Sequence, residues 1–252
     1  KVFFQLVFLI WCIPVLGQNI HLIEDLRKQA FTKTGREKFN LLNDLAWEYR
    51  SAYPDSTVYY SSQALELGKQ LKLTVGLAEP VNFIGVAYNY KGDRIKAYEY
   101  FEQALSMAKE HQDSLQIAYS NNNLGRLFFE QGILSRSYEY FIQAQTIFEE
   151  INDPSGLAYT YQSLARLYKS QRDNQKAENN YLKANRIRAS LGVTPDITSA
   201  LIQTGRFYQD NSEYTKALLY LRKADSTASS IQDEINLAEI KTYLAKNYLY
   251  EG

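Results

Sequence analysis

The chain has 252 residues, with 28 basic against 28 acidic side chains, 45% apolar residues and a single cysteine, Cys12. Zero formal net charge excludes a protein built to coat nucleic acid or an acidic membrane surface, and the apolar share excludes a disordered tail. One cysteine excludes an internal disulfide framework.

The first predicted element is a targeting segment. Lys1 precedes an apolar run from Val2 to Ile13, which Pro14 breaks, and Val15 and Gly17 come next as small residues. That order is a secretory signal peptide over residues 1–17, cleaved after Gly17. The mature chain then begins at Gln18, exported to the periplasmic or extracytoplasmic side of the inner membrane. The alternative is a retained N-terminal anchor, although the run is short for a span of about 20 residues. Bulky Trp11 before Cys12 spoils the small-residue site that lipoprotein processing needs. Residues 18–36 then form a leading helix, with Leu22, Leu26 and Ala30 on one face, that caps the helices after it.

Residues 37–252 repeat with a period of about forty. One column reads Gly85, Gly125, Ala165, Gly205, Ala245, and three residues on stand Tyr88, Phe128, Tyr168, Tyr208, Tyr248. Small residues recur at Thr57, Ala97, Ser137, Ala177, Ala217 and again at Ala64, Ala104, Ala144, Ala184, Ala224. Between these lie Phe101, Phe141, Tyr181 and Leu221. Turn signals such as Lys91-Gly92-Asp93 divide each row, and Asn152-Asp153-Pro154 separates rows. Each row is therefore a helix pair. Small residues let the two helices approach, and aromatic ones fill the space around the contact. Neither helix buries its apolar stripe alone, so rows must stack.

Ile84-Gly85-Val86-Ala87-Tyr88 with Ala97, Phe101 and Ala104 resembles the tetratricopeptide repeat (TPR) at the same internal spacings. The period is longer than the family's 34, the row-end Pro is missing, and no Trp stands at the first signature position. The resemblance implies an all-α solenoid of antiparallel helix pairs in a right-handed superhelix, with about five full repeats and a truncated sixth. The first row, Lys38 to Tyr49 and then Tyr53-Pro54-Asp55, is similar to the opening repeat of exported TPR regions in bacterial sensor proteins. In those, the repeats precede a membrane span and a histidine kinase, cyclase or DNA-binding regulator. Gly252 occupies the turn column of Gly92 and Gly132, so the chain reads as a fragment whose output domain lies further on.

No enzyme is expected within this chain, and no cofactor. The glycines form no phosphate loop, and His21 and His111 lack a metal-binding partner pattern, so no metal is expected. His111 falls at a helix C-terminus, where a cation is favoured. Carboxylate pairs such as Glu149-Glu150 lie on a solvent face. The 21 Tyr and 12 Phe fall mostly in core columns, including Tyr100, Tyr140 and Tyr220, rather than forming a nucleic-acid stacking platform.

The candidate site comes from helix phase. With Leu124 and Phe128 facing the core, Arg126 points about 200° from Leu124, Asn122 about 160° and Tyr119 about 220°. In TPR proteins that face lines the concave groove. The same columns contain Tyr159, Gln162, Arg166, Arg206 and Lys246. A ladder of Arg beside amides suits the carboxylates and backbone of a protein or peptide ligand. The competing reading pairs Arg126 with Glu130 and Arg206 with Asp210 along the helix surface. Two functions stay open: a sensory or interaction module feeding an output domain, and a free-standing exported adaptor. Membrane contact is expected only through a further span or a retained N-terminal segment.

Overall fold

The computed structural model describes residues 20–192, 195–231 and 233–251. The expected signal segment, residues 1–17, lies outside the described residues. Twelve helices and no strands are described: α1 Ile20–Thr32, α2 Gly35–Tyr49, α3 Pro54–Gln70, α4 Glu79–Tyr90, α5 Arg94–Glu110, α6 Ser114–Glu130, α7 Leu134–Glu150, α8 Pro154–Ser170, α9 Asn174–Leu191, α10 Pro195–Asp210, α11 Tyr214–Ser230 and α12 Glu234–Glu251. The pairs are α2/α3, α4/α5, α6/α7, α8/α9 and α10/α11, with α1 before them and α12 after them. The first helices of neighbouring pairs also touch, α2 with α4, α4 with α6, α6 with α8 and α10 with α12.

The period of forty resides in the helices. From α5 to α8 each helix has 17 residues, and each link has three, so a row is two helices and two identical links. The link Lys91-Gly92-Asp93 shows how three residues suffice. Gly92 takes φ +80°, its N–H bonds Asn89 O, and Asp93 N–H bonds Tyr88 O, which satisfies the last carbonyls of α4. Asp93 then caps α5 by accepting from Lys96 N–H at 3.1 Å. The row boundary uses the same geometry at Asn152, with φ +54°, and Asp153, which caps α8. His111 is the C-cap of α5.

The periodic columns form the core. Ala97, Ala104, Ala144, Ala177, Ala184, Ala217, Ala224 and Ser137 are fully buried, and Phe101, Phe141 and Leu221 pack beside them. The aromatic column stacks one ring pair in four of the five rows, Tyr49 on Tyr60, Tyr88 on Tyr100, Phe128 on Tyr140 and Tyr208 on Tyr220, at centroid distances of 5.3–5.5 Å; in the α8/α9 row Asn180 takes the second ring's place. A basic column covers those rings, with Lys96 over Tyr88, Arg136 over Phe128, Lys176 over Tyr168 and Lys216 over Tyr208 at 5.0–5.4 Å. No described helix is long and apolar enough to cross a membrane.

Candidate functional site

The first helices from α2 to α10 enclose a concave cavity of about 650 Å³. On α6 its lining is Gln116, Tyr119, Asn123 and Arg126, a single stripe at helical spacing. On α8 the equivalent stripe is Tyr159, Gln162, Ser163 and Arg166. Of the residues expected from helix phase, Tyr119, Arg126, Tyr159, Gln162 and Arg166 thus meet in one cavity. Arg206 lines a neighbouring hollow of about 440 Å³, which it shares with Arg166, Phe129 and Tyr181. Lys246 is exposed on α12 and lines neither.

Asn122 corrects the expected ligand ladder. It is fully buried and lines neither cavity, and the rest of its column, Asn43, Asn82, Gln162 and Ile202, is buried too. The reason is that this column lies where the first helix of one pair meets the first helix of the next. Asn82 Nδ2 donates to Gln116 Oε1 at 3.2 Å and Ser120 Oγ at 2.9 Å, and Asn123 Nδ2 donates to Asn82 Oδ1 at 3.3 Å. The amides hold the stack together. At Asn122 neither Nδ2 nor Oδ1 has a hydrogen-bond partner among the described residues. The equivalent α8 hydroxyls are spent on their own helix, Thr160 on Gly156 O and Ser163 on Tyr159 O.

The arginines do not pair along their own helices. Glu130 accepts from Asn89, and Asp210 pairs with Lys169. Arg126 instead donates from Nη1 to Tyr159 OH and lies 5.4 Å from that ring's centroid, bridging α6 to α8. Arg166 lies 5.2 Å from the Phe129 ring centroid. Arg206 stands 3.8 Å from Glu239 and over the Tyr243 ring. Tyr119 donates to Asp153 Oδ2 at 3.5 Å and packs edge-on against Phe148.

Sequence reasoning missed Arg188. It arises from α9, a second helix, and reaches the cavity with only 7% of its surface exposed. Its Nη2 donates to Gln162 Oε1 at 2.7 Å and its Nη1 to Asp196 O at 2.6 Å, so it links α8 to α10. Burial pulls its pKa below the usual arginine range, with Asp196 opposing. A signal was available: its forty-residue column reads Gly68, Ala108, Phe148, Arg188, Ala228, one cation among small or apolar residues. Among the described residues no carboxylate lies within ion-pair distance of Arg126, Arg166 or Arg188.

The α2/α4 end of the cavity is acidic. Glu79 lines it beside Asp44, and Glu48 stands one helical turn beyond Asp44 on α2. Burial pushes the Glu79 carboxyl from an ordinary 4.5 up to about 7, with Asp44 and Asp113 adding to the rise and Arg36 opposing it. Burial raises Glu48 as well, and Asp196 from α10 acts on it across the groove. Because the unfolded chain ionises Glu79 first, folded stability falls as pH rises from about 4.5 to about 7, and the loss is complete above that. Its size is on the order of 3 kcal/mol. Glu79→Gln, whose carbonyl can still accept from Asn43 Nδ2, removes the loss. Urea midpoints for variant and wild type should coincide near pH 4 and separate above pH 7, with the variant the more stable. Parallel midpoints across that window would contradict the assignment.

Among the described residues no group of three or more His, Cys, Asp or Glu is placed to hold a metal ion. The tetratricopeptide repeat family matches residues 116–190 and 78–111. No curated protein matches the sequence. Among solved structures, the apo form of RapI is 17% identical over 84% of this chain and 82% of its own, with a TM-score of 0.62. A Rap protein complexed with Competence and Sporulation Factor is 18% identical over 89% and 70%, with a TM-score of 0.61. A signal-transduction ATPase of the STAND class with a tetratricopeptide-repeat sensor, from Pyrococcus horikoshii, is 16% identical over 91% of this chain and 36% of that protein, with a TM-score of 0.69. At these identities the likeness is one of fold.

Proposed function

We propose that this chain, a tetratricopeptide-repeat protein, captures an extended protein or peptide segment in its concave groove through that segment's anionic groups. One observation carries the reading: Arg126, Arg166 and Arg188 line one cavity and none has a carboxylate partner among the described residues. A buried or half-buried guanidinium keeps its charge, so it gains most from an acceptor that arrives with a ligand. The complex of a Rap protein with Competence and Sporulation Factor, and the sensor repeats of the STAND ATPase, fit a binding role for this fold.

The apolar run before Gln18 and the form of the first repeat support a groove on the extracytoplasmic side of a membrane, as the sensory region of a signalling protein. The scaffold itself holds and orients a partner.

The span from α4 to α8 is two helix spacings of about 8–10 Å, which an extended chain rising about 3.3 Å per residue covers in about five to six residues. A suitable probe is a pool of end-blocked hexapeptides with Asp or Glu at positions four and six. Arg166→Glu should weaken binding of this pool at least about tenfold while leaving the melting temperature within a few degrees, since Arg166 makes only a ring contact. Unchanged binding would remove Arg166, and with it the anionic ligand, from the reading.

A further inference from the structure

The groove carries opposite charge at its two ends. At the α6/α8 end stand the three guanidinium groups. At the α2/α4 end, Asp44 and Glu79 line the cavity, while Asp196 on α10 stands beside Arg188, whose Nη1 donates to its main-chain carbonyl. Arg50 lines that end too, donating to the Trp47 carbonyl at 2.6 Å, stacking on its ring at 3.4 Å and offsetting the Glu48 charge, which leaves Asp44 and Glu79 as the acidic groups of the lining. Arg36 acts on Glu79 from α2, while its Nη1 is held by Val75 O at 2.9 Å.

A second feature at the acidic end calls for a donor. Asn43 lines the cavity and is 3% exposed. Its Nδ2 donates to Glu79 Oε2 at 3.1 Å, but its Oδ1 has no hydrogen-bond partner among the described residues. A buried acceptor beside carboxylates is satisfied by a group that brings several N–H donors and positive charge. Phe83, whose ring centroid is 5.9 Å from that of Trp47, lies in the same part of the lining and favours a cation over a second anion.

From this juxtaposition we infer that the ligand is bipolar: an ammonium group seated among Asn43 Oδ1, Asp44 and Glu79, and a carboxylate seated among Arg126, Arg166 and Arg188, a fixed distance apart. The inference rests on the groove reading proposed above and adds the second charge and its separation. It also implies a proton linkage: an incoming ammonium supplies a counter-charge beside Glu79 and draws its proton off on binding. Chain direction is left free, because either terminus of an extended segment can carry either charge.

The test varies charge separation at constant composition. Three pools of acetylated, amidated peptides carry one Lys and one Asp with none, two or four residues between them. On the full chain, affinity should rise with separation and be strongest at four, at least about tenfold above the adjacent pair, because only that length reaches both ends. Glu79→Gln with Asp44→Asn should flatten this dependence. A fourth pool supplies the ammonium from an unblocked N-terminus in place of Lys. Whichever of the two keeps the separation dependence identifies the source of the ammonium. Equal affinity for all separations would overturn the bipolar ligand and leave anion capture standing. Failure of every pool, together with the acidic hexapeptides, would overturn both.

Discussion

Arg188→Met should abolish capture of the acidic hexapeptides while leaving the fold about as stable as the wild type. The two effects separate because Arg188 is a buried cation with neutral partners only. Its hydrogen bonds to Gln162 Oε1 and Asp196 O, and the Asp196 charge, offset part of its desolvation, but no carboxylate at ion-pair distance completes the balance. Exchange for an apolar side chain of similar length removes that desolvation cost and gives up two hydrogen bonds. In binding, by contrast, loss of a buried guanidinium that meets a ligand carboxylate costs about 2–5 kcal/mol, or roughly 30-fold and upward in affinity. Calorimetric titration and urea unfolding on the same variant read both quantities. Retained binding with a collapse in stability would make Arg188 a strut between α8 and α10.

Gly125→Leu should destabilise the chain by about 1–3 kcal/mol or more. A Cβ at Gly125 would stand 2.6 Å from Cδ1 and Cε1 of Phe141, a ring that is only 1% exposed and has nowhere to move. Gly85 meets Phe101 in the same way at 2.6 Å, so the Gly and aromatic columns are one contact repeated. At Ala165 the same column carries a Cβ, and there Tyr181 stands in the aromatic place and shares one cluster with Ala165, Ala177 and Phe207. Because rows are held by their neighbours, hydrogen exchange should rise first across α6 and α7 and then in α5 and α8. A neutral outcome in urea melts would mean that the ring can be displaced at no cost.

The fold was legible because helix pairing is written in columns. Small residues at Ala97, Ala104 and Ala144 recur at one spacing, and the packing they permit needs nothing beyond local helix geometry. The source of the long period was not legible. A row longer than the family's usual one could have lengthened either helix or link, and only the repeated three-residue turn shows that the extra residues lie in the helices.

The site was legible in part. Phase on a single helix brought Tyr119, Arg126, Tyr159, Gln162 and Arg166 to one cavity. It misplaced Asn122, because phase tells what faces away from the helix partner, while the neighbouring row also buries part of that side. Arg188 escaped because it stands on a second helix, outside the first-helix face that phase defines. The acidic end escaped because Asp44 and Glu79 occupy no shared column and meet only through the packing of α2 against α4.

The most direct measurement of the groove reading uses Trp47, which lines the cavity and is one of two tryptophans in the chain. Its emission, isolated by difference against Trp47→Phe, is monitored during titration with the acidic hexapeptides and with the same pool carrying Lys at positions four and six. The expected result is a saturable change with the acidic pool that weakens as salt is raised and disappears in Arg166→Glu. No saturable response to the acidic pool, or a response to it that survives Arg166→Glu unchanged, would contradict it.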